Sequence, residues 1–255
     1  MTSTPIYAKQ PGSTQQTLPT MYDLPSEYPE ELGLPDIFHD LQPQLLSTTL
    51  QLTVAPPDQV FTGTDLNVYY DAEHVNWHKR PDWFVVVGVP KLYEQKEMRL
   101  SYVIWQEKVS PTVVVELLSP GTAKSDLGEL NRDPDGTPTK WEVYEQILQI
   151  PYYVIFDCYT DHLRVFQLRD HRYQALKLDQ PKLWIPELER GLGLWQGRYD
   201  DIDRLWLRWY DAQDHWLPTD TERLVIEQQQ RVQVQKQADR MAAKLRELGI
   251  DPDDL

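Results

Sequence analysis

A short apolar segment with an acid at its centre constrains the fold of this chain more than any other feature. Residues 112–118 read TVVVELL, and Ser119, Pro120 and Gly121 end the run. Such a run, rich in β-branched residues and closed by turn formers, is typical of a buried strand near the middle of a sheet. A buried Glu116 carboxylate needs a partner, because burying it alone costs several kcal/mol. The segment therefore predicts a strand whose glutamate meets a metal ion, a basic side chain or water in a cleft. The alternative is a strand end at which the carboxylate reaches solvent or a structural arginine.

The size and composition indicate one sizeable domain with appendages. The chain has 255 residues, 40% of them hydrophobic, so a core can form although the mean hydropathy is -0.58. Its one cysteine, Cys158, excludes an intramolecular disulfide and a cysteine-based zinc cluster, which fits a reducing compartment. We find neither a secretory leader nor an apolar stretch of about 18 residues, so we expect a soluble cytoplasmic protein without a membrane partner.

The charge balance limits the classes of partner. The 25 basic and 40 acidic residues give a net charge of -15, which argues against avid non-specific binding to DNA. A nuclease with a local basic rim, or one whose clustered carboxylates bind a divalent metal, is still compatible with this balance.

The pattern along the chain divides it into three regions. Residues 1–35 form a flexible Pro-rich leader, residues 36–200 one α/β domain, and residues 201–255 a Trp-rich segment and a polar helix. Within the domain, strands alternate with helices, so we expect a mixed sheet with helices packed on it. The predicted elements are a helix within 36–53 that starts or breaks at Pro43, paired strands at 67–71 and 82–89, a helix at 140–150 capped by Thr139, a strand at 152–157, and a hairpin of 162–168 with 173–178.

The polar helix is predicted from Thr219 to about Leu248, and it carries a heptad pattern. Six of its eight a and d positions are apolar, which favours a short coiled coil from about residue 234 to 248 and a homo-oligomer through residues 224–248. A lone solvated helix is the alternative. The eight positions are Leu224, Glu227, Arg231, Val234, Ala238, Met241, Leu245 and Leu248.

Two carboxylates could share a cation. Asp82 follows Pro81 at the start of one predicted strand and faces the same way as Phe84, while Glu116 faces the same way as Val114. If the strands are neighbours, both acids converge at one edge of the sheet. Two hard oxygen ligands suit Mg²⁺ or Mn²⁺, and a nearby lysine could offset developing negative charge.

Five segments together resemble a known family. They are PD at 81–82, VVVELLSP at 113–120, SDLGE at 125–129, KWEVYEQ at 140–146 and PYYVIFD at 151–157. The set resembles the Uma-type restriction endonucleases of the PD-(D/E)xK nuclease superfamily over roughly residues 40–200. The resemblance implies a restriction-endonuclease-like fold for the domain, a mixed β-sheet flanked by helices, and a Mg²⁺-dependent (or Mn²⁺-dependent) endonuclease acting on DNA. It also implies that Asp82 and Glu116 bind the metal.

The sequence departs from the superfamily pattern at the lysine. The superfamily has a lysine two residues after the glutamate, where this chain has Leu118. A lysine from the following helix is thought to substitute, and Lys140 matches that place, which gives Asp82, Glu116 and Lys140 as the catalytic set. The insertion before Lys140 leaves Lys124 as a rival.

Plainer interpretations compete for the same residues. Asp82 could be a turn residue, and Lys140 the solvated start of a helix. Asp126 could be a third ligand, but we favour a loop cap. A solvated Glu73 is favoured over an auxiliary carboxylate, and loop residues over a metal pair for His74 and His78.

Three functions are therefore open. The first is the metal-dependent endonuclease. The second is a catalytically inactive nuclease-fold interaction module that oligomerises through its C-terminal helix. The third is a small-phosphoester hydrolase, for which no phosphate-binding loop is visible.

Overall fold

A computed structural model describes residues 36–119, 121–132 and 136–247. The predicted leader at 1–35, the end of the tail from residue 248 and part of the DPDG turn lie outside the described residues. Helices and strands alternate through most of the described chain, and a long helix ends it. The α-helices are α1 Ile37–Thr49, α2 Ile104–Glu107, α3 Ala123–Asp126, α4 Lys140–Glu142 and α5 Asp220–Glu247. The strands are β1 Val60–Thr64, β2 Val68–Tyr69, β3 His78–Lys79, β4 Trp83–Val87, β5 Tyr102–Val103, β6 Val113–Leu117, β7 Tyr152–Asp157, β8 His162–Arg169, β9 Arg172–Ala175, β10 Lys182–Ile185, β11 Arg190–Tyr199 and β12 Ile202–Tyr210.

The main sheet has the strand order β1-β4-β6-β7-β8-β9. Strands β6 and β7 are parallel, and the other neighbours are antiparallel. Every residue of β6 is buried, as the uninterrupted apolar run predicted for a central strand. The predicted α/β class, with a mixed sheet flanked by helices and a C-terminal helix, is confirmed.

The two faces of this sheet pack against different layers. Alternate residues such as Trp83 and Val115 face a core that includes α1 and the β10-β11-β12 sheet. The intervening residues, such as Phe84 and Val114, face a second core that includes Val143 and Tyr144 just after α4. Glu116 has the same parity as Val114, so its side chain belongs on the second face.

One predicted strand pairing is wrong. Residues 67–71 and 82–89 do not pair with each other: β2 lies in a small sheet with β3 and β5, while β4 lies between β1 and β6. The four apolar residues Trp83–Val86 are buried, and a strand buried on both faces needs a neighbour on each side, which β1 and β6 supply. The hairpin of β8 and β9 is confirmed.

Two helices differ from the sequence expectation. Pro43 lies inside α1 and neither starts nor breaks it, since Asp36 is the N-cap and the helix continues to Thr49. Packing of Leu45 and Leu46 in the core outweighs the backbone bond that a proline removes. The helix expected over 140–150 starts at Lys140 with Thr139 as its cap, as predicted, but its 143–147 portion is a π-helix.

The Trp-rich segment is part of the domain's core. Strands β11 and β12 form a hairpin, and the expected division between residues 200 and 201 falls at its turn. Trp206 and Trp209 are both buried beside α1: the Trp206 ring stacks on Phe38, and Trp209 Nε1 donates to the carbonyl oxygen of Leu46. In the described part of the chain, no helix is both long and apolar enough to cross a bilayer.

Candidate active site

The pairing of β4 with β6 brings the two predicted acids together. Trp83 is opposite Val115, so the next step of the antiparallel register sets Asp82 opposite Glu116. The backbone N–H of Leu117 donates to Asp82 Oδ2 at 2.6 Å, and the N–H of Asp82 donates to Glu116 Oε2 at 3.4 Å. Each carboxylate therefore lies against the backbone of the other strand.

Lys140 is the lysine that reaches the glutamate. Its Nζ lies 2.9 Å from Glu116 Oε2. A capping box formed by Thr139 and Glu142 fixes the first turn of α4 and thereby the start of the lysine stem. Lys124, the rival candidate, is exposed on α3. The geometry thus favours Lys140 over Lys124 as the lysine of this cluster.

Asp126 belongs to the same cluster. Its Oδ1 accepts a hydrogen bond from Lys140 Nζ at 2.6 Å, and its side chain is buried. Its other oxygen, Oδ2, is buried without a hydrogen-bond partner among the described residues. The favoured interpretation of Asp126 as a loop cap is therefore wrong: its carboxylate faces an ammonium group inside the protein.

Tyr144 also contacts the glutamate. Its hydroxyl donates to Glu116 Oε1 at 2.9 Å, so Glu116 accepts from Tyr144 through one oxygen and from Lys140 through the other. Tyr144 is itself buried in the second core, among apolar residues of the sheet. The π-helical turn that carries it is a deviation often found at functional sites.

His39 supports the strand from the opposite side, and sequence reasoning missed it. Its Nε2 lies 3.0 Å from the carbonyl oxygen of Leu117, and its Nδ1 lies 2.8 Å from Asp36 Oδ1. Both partners are acceptors, so the ring satisfies them together when both nitrogens carry protons. His39 and Leu117 are 78 positions apart in the sequence, so no local signal points to this contact.

The electrostatics of the cluster favour binding of a cation. With all groups ionised, the carboxylates of Asp82, Glu116 and Asp126 outnumber the Lys140 ammonium by two charges. Burial raises the pKa of the Glu116 carboxyl well above its ordinary value, against the lowering effect of Lys140. Burial likewise raises the pKa of Asp82. Burial opposes charge on Lys140, but the surrounding carboxylates outweigh it and raise the pKa of the ammonium.

The donor set fits a small divalent cation. Asp82 and Glu116 offer hard oxygens, and Mg²⁺ is usually held by one or two carboxylates together with water and substrate phosphate. The cluster's excess of two negative charges equals the charge of such an ion. In the residues that the structure describes, no group of three His, Cys, Asp or Glu side chains is arranged to hold a metal.

The remaining candidates lie apart from the cluster. Glu73 is exposed. His74 pairs with Asp71 and stacks on Trp77, while His78 contacts the carbonyl oxygen of Asn76. His74 therefore lies in a loop, as expected, whereas His78 is the first residue of β3 and not a loop residue.

The chain was then compared with known proteins. No curated protein matches it. A crystal structure described as a putative nuclease belonging to DUF820, from Anabaena variabilis ATCC 29413, is similar at 15% identity over 60% of this chain and 74% of that chain, with a TM-score of 0.41. The model of the Uma2 family, described as "Putative restriction endonuclease", matches residues 17–200, which is more than half of the 255 residues. The chain therefore belongs to the Uma2 restriction endonuclease family.

Proposed function

We propose that this protein is a divalent-metal-dependent endonuclease that hydrolyses phosphodiester bonds of DNA, with Mg²⁺ or Mn²⁺ bound by Asp82 and Glu116. One observation carries the proposal: a lysine ammonium lies 2.9 Å from a buried glutamate whose neighbour across the sheet is an aspartate. An acid pair with an adjacent ammonium could hold a divalent cation and offset the negative charge that develops on a phosphate during hydrolysis. The family match supports a nuclease as the class of enzyme.

Each residue has a distinct task under this proposal. Asp82 and Glu116 would hold the metal. The metal would lower the pKa of a water molecule and stabilise negative charge on the phosphate. Lys140 holds its proton and places a positive charge beside the carboxylate pair, where it can offset negative charge developing on the phosphate. Tyr144 orients Glu116 through Oε1 and leaves Oε2 on the Lys140 side.

The site has a solvent-facing side from which a phosphate could approach. The Lys140 side chain keeps 14% of its surface exposed, while Glu116 keeps none. Asp82 is also partly exposed. A DNA phosphate would therefore meet Lys140 and Asp82 first, and its charge would be attracted to the lysine despite the acidic balance of the whole chain.

A plasmid nicking assay with Mg²⁺ or Mn²⁺ tests the proposal. We expect nicking by the wild type and a loss of at least about 100-fold in Glu116→Gln and in Lys140→Ala, because each removes charge at the reacting centre. Lys124→Ala is the matched control, since it removes an exposed lysine of the neighbouring helix and should leave the rate unchanged. Equal nicking by all four proteins would mean that a contaminant cleaves the DNA.

A catalytically inactive interaction module on the same fold is the alternative. It predicts that Mg²⁺ does not stabilise the protein, whereas the endonuclease proposal predicts a rise in melting temperature at millimolar Mg²⁺, because a ligand that binds the native state stabilises it. If the rise occurs in the wild type and disappears in Asp82→Asn, the module without metal is ruled out.

We also propose that α5 joins two copies of the chain. The helix runs over 28 residues, and none of them is buried. Its first turn contacts the domain through the ion pair of Glu222 with Arg208, but a helix of this length without a buried residue gains little stability from its own propensity. A coiled coil with a second copy through the heptad stripe would bury Val234 and Met241, which are both exposed. The last stripe position, Leu248, lies outside the described residues.

A further inference from the structure

Two carboxylates from different elements share the Lys140 ammonium. Glu116 comes from β6 and Asp126 from the end of α3, and both side chains are buried. The Nζ distance is 2.6 Å to Asp126 Oδ1 and 2.9 Å to Glu116 Oε2. Charge-assisted hydrogen bonds of these lengths are strong, so the shorter contact to Asp126 is at least the equal of the other.

A lysine in this place needs an anchor. The residue two positions after Glu116 is Leu118, so the ammonium is not carried by the same rigid strand and comes from the first turn of α4. The four-carbon side chain of a lysine is flexible, so the position of its ammonium depends on acceptors that are themselves held in place. Asp126 is fixed, because Tyr153 on β7 donates its hydroxyl to the Asp126 carbonyl oxygen at 2.8 Å.

Glu116 alone would be a poor anchor for Lys140. The oxygen that accepts from Lys140, Oε2, is on the side away from the Tyr144 hydroxyl. A divalent cation held by Asp82 and Glu116 would compete with the ammonium for that carboxylate. Without a second acceptor, either the cation or the lysine would have to leave the cluster.

We infer that Asp126 is a positioning residue that holds the Lys140 ammonium in the cluster while Glu116 binds a divalent cation. This inference rests on the proposed metal-dependent function and adds the reason why the lysine can stay. The unpartnered Oδ2 of Asp126 gives the ammonium a further acceptor when it shifts away from Glu116. Asp126 differs in this role from a third metal ligand, because the ammonium lies between it and Glu116.

A double-mutant cycle on Mn²⁺ affinity tests this role without measuring activity. Mn²⁺ is titrated into wild type, Asp126→Asn, Lys140→Met and the double variant, and the dissociation constant is measured for each. We expect Asp126→Asn to weaken Mn²⁺ binding about 10-fold when Lys140 is present, because the ammonium then competes for Glu116 alone. In the Lys140→Met background the same change should weaken binding by no more than about threefold, since only long-range attraction is lost.

The outcomes separate the inference from the proposed function. An equal loss in both backgrounds would identify Asp126 as a direct ligand and overturn the positioning role. If wild type binds no Mn²⁺, the proposed function itself fails. Should Asp126→Asn not fold, Asp126→Glu takes its place in the cycle: it keeps the charge but moves the acceptor, so it should weaken Mn²⁺ binding when Lys140 is present and not in the Lys140→Met background. An equal effect in the two backgrounds contradicts the inference.

Discussion

The carboxylate of Asp82 accepts the backbone N–H of Leu117, the residue that follows Glu116, at 2.6 Å. The acid pair is therefore positioned where β4 pairs with β6, with Glu116 in β6 and Asp82 in the bend just before β4. Sites built on paired strands hold their side chains within narrow limits. Replacing either acid by its amide should therefore preserve the fold but abolish the proposed metal binding.

The first prediction concerns Asp82→Asn. The amide oxygen can still accept from Leu117, so the fold should survive, and removal of a partly buried negative charge should leave stability without metal unchanged or up to about 1 kcal/mol higher. The gain in unfolding free energy on adding Mg²⁺ should vanish. Urea unfolding with and without Mg²⁺ measures both quantities. Asp65→Asn, which changes an exposed acid paired with Arg80, should keep the Mg²⁺ effect. A retained effect in Asp82→Asn would exclude Asp82 as a ligand.

The second prediction separates Tyr144 from its neighbours. Tyr144→Phe removes the hydroxyl that donates to Glu116 Oε1, which should cost about 1–3 kcal/mol of stability because a buried acceptor loses its partner. It should also lower the nicking rate about 10-fold. Tyr173→Phe is the control: its hydroxyl donates to the Ile150 carbonyl oxygen in the same layer, away from the acids. Comparing rates per folded molecule checks this, and equal rates in the two variants would contradict it.

The third prediction is a pH dependence of stability from His39. Burial alone would lower its pKa, but the hydrogen bonds to Asp36 and to the Leu117 carbonyl, together with the charge of Asp82, raise the pKa to about 9. Because the folded pKa lies above the unfolded value of about 6.5, the stabilisation is complete below that pH and is lost as pH rises towards 9. The loss should be roughly 2–3 kcal/mol.

Measuring the free energy of unfolding at pH values from about 6 to about 10 tests this dependence. His39→Gln should remove most of the slope, whereas His74→Gln, a change at an exposed histidine beside Asp71, should leave it intact. Parallel profiles for the wild type and His39→Gln would show that another group titrates.

The fourth prediction concerns self-association through α5. Met241→Glu and Val234→Glu each set a charge in the proposed seam and should convert the dimer to monomers, because buried charges oppose coiled-coil pairing. Val232→Glu is the control, since Val232 is also apolar and exposed but lies off the heptad stripe. Sedimentation velocity distinguishes the species. A wild type that sediments as a monomer at all concentrations would refute the dimer.

Local patterns carried the sequence predictions that hold. The apolar run around Glu116 is enough to predict a buried central strand. Thr139, as a helix N-cap, likewise predicts that a helix begins at Lys140. The family resemblance added the order of these pieces. The burial of Glu116 follows from signals within a few residues of it, whereas a lysine at position 140 was implied by the family resemblance, with Lys124 left as a rival.

The contacts that sequence reasoning missed join distant segments. Strand β2 was matched to β4 because they are near in sequence, yet β4 pairs with β6, thirty residues further along. Asp126 was expected to be a cap because aspartate side chains often accept hydrogen bonds from nearby backbone N–H groups. Its actual partner, the ammonium of Lys140, is 14 positions away in the sequence. His39 reaches Leu117 only through the packing of α1 on the sheet.

The peptide of Leu117 has a consequence for how the site can fail. Its N–H is taken by Asp82 and its carbonyl oxygen by His39, two side chains from separate elements. A slip of β6 by one residue would turn Glu116 to the opposite face of the sheet. These two contacts fix the register of β6. A substitution at His39 in α1, which is not a proposed metal ligand, would therefore reduce activity by allowing β6 to shift.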